Sequence, residues 1–172
     1  METPDTPWAK DSDIRINKPK LAKPNSAAVF FHDLLKSEGI VGGRLIEIGG
    51  GHGRNAAFFA ENGFEVHCVD LDSVPDLDLH GITTHSHDIR DFWHFEKEYF
   101  DFAMDVSCYF TLSDKEKQNY KNELARVLQP DGIFLLSIPE KEIEKIKKEF
   151  SGFKVHLVKN LDSNVVLVIG LP

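Results

Sequence analysis

Cysteine is scarce in this 172-residue chain, and so are methionine and tryptophan, at two of each. Cys68 and Cys108 lie far apart and form neither a CxxC nor a CxxH spacing. That gives little support to a disulfide framework or a structural zinc, and suits a reducing, cytoplasmic compartment. No apolar run approaches the roughly 20 residues that cross a bilayer, so no membrane partner is expected. The opening stretch, Met1 to Lys10, is polar and carries Pro4 and Pro7, so it does not read as a secretory signal. Basic residues are the minority: 20 Lys+Arg against 28 Asp+Glu leave a net charge of −8. That balance argues against a nucleic-acid partner, which needs a basic face. Repeats and low-complexity tracts are also missing. What is present is core material, 41% hydrophobic residues with 13 Phe, enough for one domain.

Residues 1–25 read as an irregular arm, punctuated by Pro4, Pro7, Pro19 and Pro24. Arg15, Lys18, Lys20 and Lys23 make part of it basic; it reads as a solvated tail or as a lid anchored by Trp8. From residue 26 to 172 the pattern alternates. Asn25 or Ser26 caps a helix whose apolar positions are Val29, Phe30, Phe31, Leu34 and Leu35, with Gly39 as its terminator. Arg44–Ile48 reads as a strand, Arg54–Asn62 as a helix and Phe64–Val69 as the next strand. Ile82–His85 is a weak strand, Asp91–Lys97 a short helix and Phe102–Val106 a strand. An amphipathic helix spans 114–128, and Pro130-Asp131-Gly132 turns into Ile133–Ile138, apolar enough to be buried on both faces. Ile143, Ile146 and Phe150 mark a further helix, and the Lys/Glu run from Glu140 to Glu149 its solvated face. Phe153–Lys159 and Val165–Leu171 close the chain as a hairpin about Leu161-Asp162-Ser163-Asn164. Strands separated by helices imply an α/β fold, a Rossmann-like, doubly wound, mainly parallel seven-stranded sheet with a C-terminal antiparallel hairpin. The link between Val69 and Ile82 holds Pro75 and no helical period, which leaves a sheet edge thinly covered and open to pairing in a homodimer.

The chemistry concentrates in Glu47-Ile48-Gly49-Gly50-Gly51-His52-Gly53-Arg54-Asn55, where a strand runs through glycines into a helix. Glycines allow a tight turn and close ligand approach, and the helix start offers N–H groups to an anion. No Gly-Lys-Ser/Thr follows, which excludes a Walker A loop, and Arg54 occupies the place where a dinucleotide fingerprint needs a small residue. The pattern acid-x-G-x-G-x-G is filled by Glu47, Gly49, Gly51 and Gly53. Asp70 ends the second strand, Asp88 follows the third, Phe100-Asp101-Phe102 opens the fourth, and Ala125–Gly132 leads into the fifth.

In these motifs, over roughly residues 26 to 172, the chain resembles the class I S-adenosylmethionine-dependent methyltransferases. Gly53-Arg54-Asn55 resembles the tellurite-resistance-type small-molecule methyltransferases among them. The resemblance implies S-adenosyl-L-methionine as cofactor, with Glu47–Gly53 as its loop, Asp70 on the ribose hydroxyls and Asp88 on the adenine amino group. The chemistry of the residues agrees: a carboxylate accepts two hydroxyl donors, and Leu71 and Ile89 provide apolar surface for an adenine. Arg54 and the N–H groups at the helix start suit a carboxylate. Two features depart from the family: the short link before Ile82, and Asp131 where a glycine is usual.

Methyl transfer from a sulfonium needs alignment more than a dedicated base, so no catalytic signature is required. Asp105, Ser107, Cys108 and Tyr109 follow the fourth strand, where the family places the methyl group; Asp105 and Tyr109 are the acceptor-side choices, or Tyr109-Phe110 packs as an aromatic pair. His52 is a candidate base or a solvent-facing loop residue. His85 and His87 share one face and form a possible metal pair, without a third ligand of diagnostic spacing, so no metal is assigned. Cys68 reads as a buried small hydrophobe. The acceptor is expected to be a small molecule or an oxyanion, since no inserted substrate domain is present; a protein side chain remains open. The rival readings are a non-catalytic S-adenosylmethionine-binding regulatory module and a nicotinamide-dependent oxidoreductase.

Overall fold

The computed structural model describes residues 22–72, 77–161 and 164–172. The arm through Leu21, Pro75 and the hairpin tip at Asp162 and Ser163 lie outside the described residues. Helix α1 spans Ser26–Ser37. Asn25 caps it by accepting a 2.8 Å hydrogen bond from Ala28 N–H, and the helix buries Ala27, Ala28, Phe31 and Leu35. Strand β1 (Gly43–Ile48) leads through the glycine loop to α2 (Arg54–Glu61), β2 (Phe64–Asp70) and β3 (Ile82–Ser86). Strand β4 (Phe100–Val106), helix α3 (Asp114–Val127), strand β5 (Leu128–Pro139) and helix α4 (Ile143–Glu149) follow, then β6 (Lys154–Leu161) and β7 (Asn164–Gly170). A capping box starts α3: Ser113 takes the N–H of Glu116 while the Glu116 carboxylate takes the N–H of Ser113.

The seven strands form one sheet in the order β3-β2-β1-β4-β5-β7-β6. β1 pairs in parallel with both β2 and β4, so the winding reverses between β1 and β4. β7 inserts antiparallel between β5 and β6, which completes the expected hairpin. Neighbouring residues of β5 alternate between the two faces: Phe134, Leu136 and Ile138 join the core under α3 and α4, and Leu135 the core under α1 and α2. Both faces of that strand are therefore apolar, as its unbroken hydrophobic run requires.

Three local expectations change. Asp91–Lys97 is not a helix. Trp93 is sunk in the core with its N–H on Glu123 Oε2 at 2.8 Å, while the Arg126 guanidinium caps the carbonyls of Trp93 and Phe95. Side chains from α3 thus replace the turn-to-turn bonds a helix would make, and Phe92 is left exposed. β5 begins at Leu128, and Pro130-Asp131-Gly132 forms a bulge within it: Phe100 pairs with Leu128 but Phe102 already with Ile133. The link into β3 holds a 3₁₀ turn, Leu77–His80, whose buried Leu77 packs against the glycine loop. No helix among the described residues is long and apolar enough to cross a membrane.

Candidate functional site

The glycine loop leaves the carboxyl end of β1 beside the point where the winding reverses, the place where open α/β sheets gather ligands. Gly49, Gly51 and Gly53 all hold positive φ, at 69°, 53° and 72°. At Gly53, which opens α2, a Cβ would also collide with Leu77. Around Gly51 there is open space, so what glycine supplies there is backbone conformation and approach. The loop is held from β2: Gly51 N–H donates to Asp70 Oδ2 at 2.8 Å, and the carbonyl of Val69 accepts from Gly49 N–H at 2.8 Å.

Two cavities flank the loop and share Gly49. The first, about 270 Å³, is bordered by Asp70, Leu71, His87, Asp88 and Ile89, with Cys108, Thr111, Leu112 and Glu116 opposite. Of its apolar lining residues, Leu71 is exposed and Ile89 is buried. His87 Nε2 is buried there without a hydrogen-bond partner. Asp88 is tied to Arg90, whose Nε meets both carboxylate oxygens at 2.8 and 2.9 Å and whose Nη2 lies 2.5 Å from Oδ2. That contact holds the Asp88 carboxyl down at about pKa 2, so it is ionised throughout the neutral range.

The second cavity, about 360 Å³, lies over the start of α2. Its walls include Asn25, Glu47, Gly50, His52, Arg54 and Val106. Glu47 is 2% exposed, and Asn55 Nδ2 donates to its Oε1 at 3.0 Å. Asn55 Oδ1 in turn accepts from Asn25 N–H at 3.0 Å, which fixes which way the Asn55 amide faces. Glu47 Oε2 is left buried without a partner, and burial raises its pKa to about 7. His52 and Arg54 are exposed at the cavity rim.

Asp105 and Tyr109 are elsewhere, a correction to their expected acceptor-side place. Both are 0% exposed, and neither borders the two cavities. The Asp105 carboxylate receives Tyr120 Oη at 2.7 Å and the N–H groups of Cys108 and Tyr109 at 2.8 and 3.0 Å. It holds the turn after β4, where Ser107 sits at φ 72°, a backbone strain that such pinning sustains. Cys108, on that turn, faces Gly49, and Cys68 faces Gly50. Burial pushes both thiols up, Cys108 to about 12, so both stay protonated. His85 stacks on His67 with Nε2 2.9 Å from His67 Nδ1, while His87 packs edge-on to His94; the two do not act as a pair. Sequence reasoning missed Arg90 and the part played by Asn55. The Gly53-Arg54-Asn55 motif contained the second signal; Arg90 had none, because its partner is fixed by a turn.

Residues 46–136, over half of the chain, match the family model described as a methyltransferase domain. No curated protein matches. Among solved structures, the chain is similar to Burkholderia thailandensis 1,6-didemethyltoxoflavin-N1-methyltransferase with bound 1,6-didemethyltoxoflavin and S-adenosylhomocysteine (TM-score 0.73, 17% identity, 95% of this chain and 83% of that one). It is also similar to a SAM-dependent methyltransferase from Aquifex aeolicus (TM-score 0.71, 14% identity, 94% and 98%). A TehB-like SAM-dependent methyltransferase from Corynebacterium glutamicum aligns at TM-score 0.66 and 15% identity over 96% of each chain. At such identities the likeness is one of fold.

Proposed function

The chain belongs to the class I S-adenosylmethionine-dependent methyltransferase family, and we propose that it methylates a small molecule or an oxyanion by in-line displacement. The observation that carries this reading is the pair of cavities meeting at Gly49, one end bearing Asp70, Leu71, Asp88 and Ile89 and the other Glu47 and Arg54. The residues fit the family's cofactor on their own chemistry. Glu47 Oε2 is a buried acceptor without a donor, suited to the ammonium of a methionine moiety, and His87 Nε2 is an unpartnered nitrogen in the adenosine-sized cavity.

Bound there, S-adenosylmethionine supplies an activated methyl group on a sulfonium. Asp70 accepts from the ribose hydroxyls while Gly51 N–H fixes its rotamer. Leu71 and Ile89 sandwich the adenine, and Asp88 accepts from its amino group, kept ionised by Arg90. Arg54 and the free N–H groups at the start of α2 take the carboxylate, and Glu47 the ammonium. Asp105 and Tyr109 are positioning residues: through Cys108 they hold the wall facing Gly49. His52, at the rim beside Arg54, is placed to accept a proton from an acceptor that carries one at working pH. Absence of an inserted substrate domain among the described residues favours a small acceptor, and two free thiols suit a reducing, cytoplasmic setting.

Calorimetric titration with S-adenosylhomocysteine, with NADH as control, tests the reading. Saturable micromolar binding of the first alone is the expected result. Binding of NADH alone would replace it with an oxidoreductase, and binding without methyl transfer to any acceptor panel with a regulatory module.

A further inference from the structure

The chain as a whole is acidic, yet four of its lysines border a single cleft. This cleft lies between α3 and α4, on the other side of the Tyr109–Thr111 turn from the cavities above, and encloses about 500 Å³. Lys117 and Lys121 come from α3 and Lys145 and Lys148 from α4, against two carboxylates, Asp114 and Glu149. Lys117 Nζ is 3.2 Å from Glu149 Oε1, Lys145 Nζ is 3.9 Å from the same oxygen, and Lys121 Nζ donates to the Glu149 carbonyl at 3.1 Å. Each ammonium has three donors, and Lys148 has no ion-pair partner among the described residues, so donors exceed acceptors.

The needs of the helices do not account for this. Lys148 near the end of α4 suits the helix dipole, but Lys117 lies in the first half of α3, where positive charge opposes it. Lys117 is also only 4% exposed, and a buried ammonium is costly unless its surroundings are arranged for charge. Beneath it, the Tyr109 ring lies 5.1 Å from Nζ. Tyr109 is 0% exposed, and its hydroxyl faces the Glu149 carboxylate at the floor of the cleft, where neither the hydroxyl nor the buried Glu149 Oε2 makes a hydrogen bond of good geometry. Burial and the nearby Glu149 carboxylate push that phenol's pKa up, so it keeps its proton.

We propose that the α3–α4 cleft binds a small, multiply charged, phosphate-bearing anion, held by Lys121, Lys145 and Lys148 above Lys117 and Tyr109. Lysine binds phosphate as a point charge, and several converging ammoniums suit a ligand with two or more negative charges. The site is separate from the glycine loop, yet Tyr109 N–H is bonded to Asp105 and its neighbour Cys108 faces Gly49, so an occupied cleft abuts the wall of the methyl-transfer site.

The test is calorimetric titration of the full chain with inorganic pyrophosphate at constant ionic strength, with and without saturating S-adenosylhomocysteine. One saturable equivalent is expected in both cases. K121Q/K148Q should weaken it at least tenfold. K141Q/K147Q, which removes the same charge from exposed positions outside the cleft, should change it less than twofold. Circular dichroism and the thermal midpoint establish that each variant is folded. No saturable binding, equal losses in the two double variants, or displacement by S-adenosylhomocysteine would each overturn the proposal. Since the readout is pyrophosphate binding, its failure is distinct from failure of the methyltransferase reading.

Discussion

The phenol of Tyr120 donates to Asp105 Oδ2 at 2.7 Å, and both residues are wholly buried. Burial dominates over this bond and the two backbone donors, and raises the Asp105 pKa to about 6. An acid with a raised folded pKa binds its proton more tightly folded than unfolded. Its contribution therefore falls as pH climbs from the ordinary carboxyl value through about 6. Tyr120→Phe removes the principal donor to the ionised form. It should destabilise the protein by about 1.5–3 kcal/mol at pH 7.5 and by clearly less at pH 5, read from urea unfolding at both. An equal loss at both values would show that the hydroxyl does not serve the carboxylate.

Glu47 carries a similar strain for a different purpose. Its pKa of about 7 means that the folded protein retains a proton there which the unfolded chain has released, so stability falls as pH rises from about 4.5 to 7. Glu47→Gln should become progressively more stable relative to the parent across that window, by roughly 1–2 kcal/mol at its upper end. S-adenosylhomocysteine affinity should rise with pH through about 7 in the parent and lose that dependence in the variant. A pH-independent parent would remove Glu47 from the ammonium role.

Asp70 is held toward the first cavity by Gly51 N–H. Asp70→Ala should leave the fold intact and weaken S-adenosylhomocysteine binding more than tenfold, about 1.4 kcal/mol or more. Unchanged affinity in the folded variant would sink the ribose assignment.

Gly50 faces Cys68 so closely that a Cβ would collide with the Cys68 sulfur, which is buried. Gly50→Ala should lower the thermal midpoint and weaken cofactor binding, because the loop must shift away from β2. Cys68→Ala in the same chain should restore much of both, a coupling that a double-mutant cycle measures. Strict additivity would show that the loop bends elsewhere.

Much of this was legible because each residue's local choice agreed with its neighbours. Glycines at 49, 51 and 53 between an apolar strand and a helix announce a ligand loop, since only backbone geometry explains them. The β5 run announced a strand buried on both faces, and the Asn25 cap marked a helix start that the structure keeps. Asp91–Lys97 was misread because its aromatic spacing also suits a helix, whereas the carbonyls there are satisfied by Arg126, some thirty residues on.

The order of the strands, the seven-stranded, mainly parallel sheet with its closing hairpin, and the acids Glu47, Asp70 and Asp88 at or just beyond strand ends were determined by sequence, because periodicity, caps and turn residues are local properties. Only the tertiary structure decided that Asp105 and Tyr109 lie in the core, that Arg90 claims Asp88, and that lysines of two separate helices share one cleft. Those facts depend on which faces meet once the sheet is covered, and burial, which sets both contacts and charge, is a property of the assembled chain.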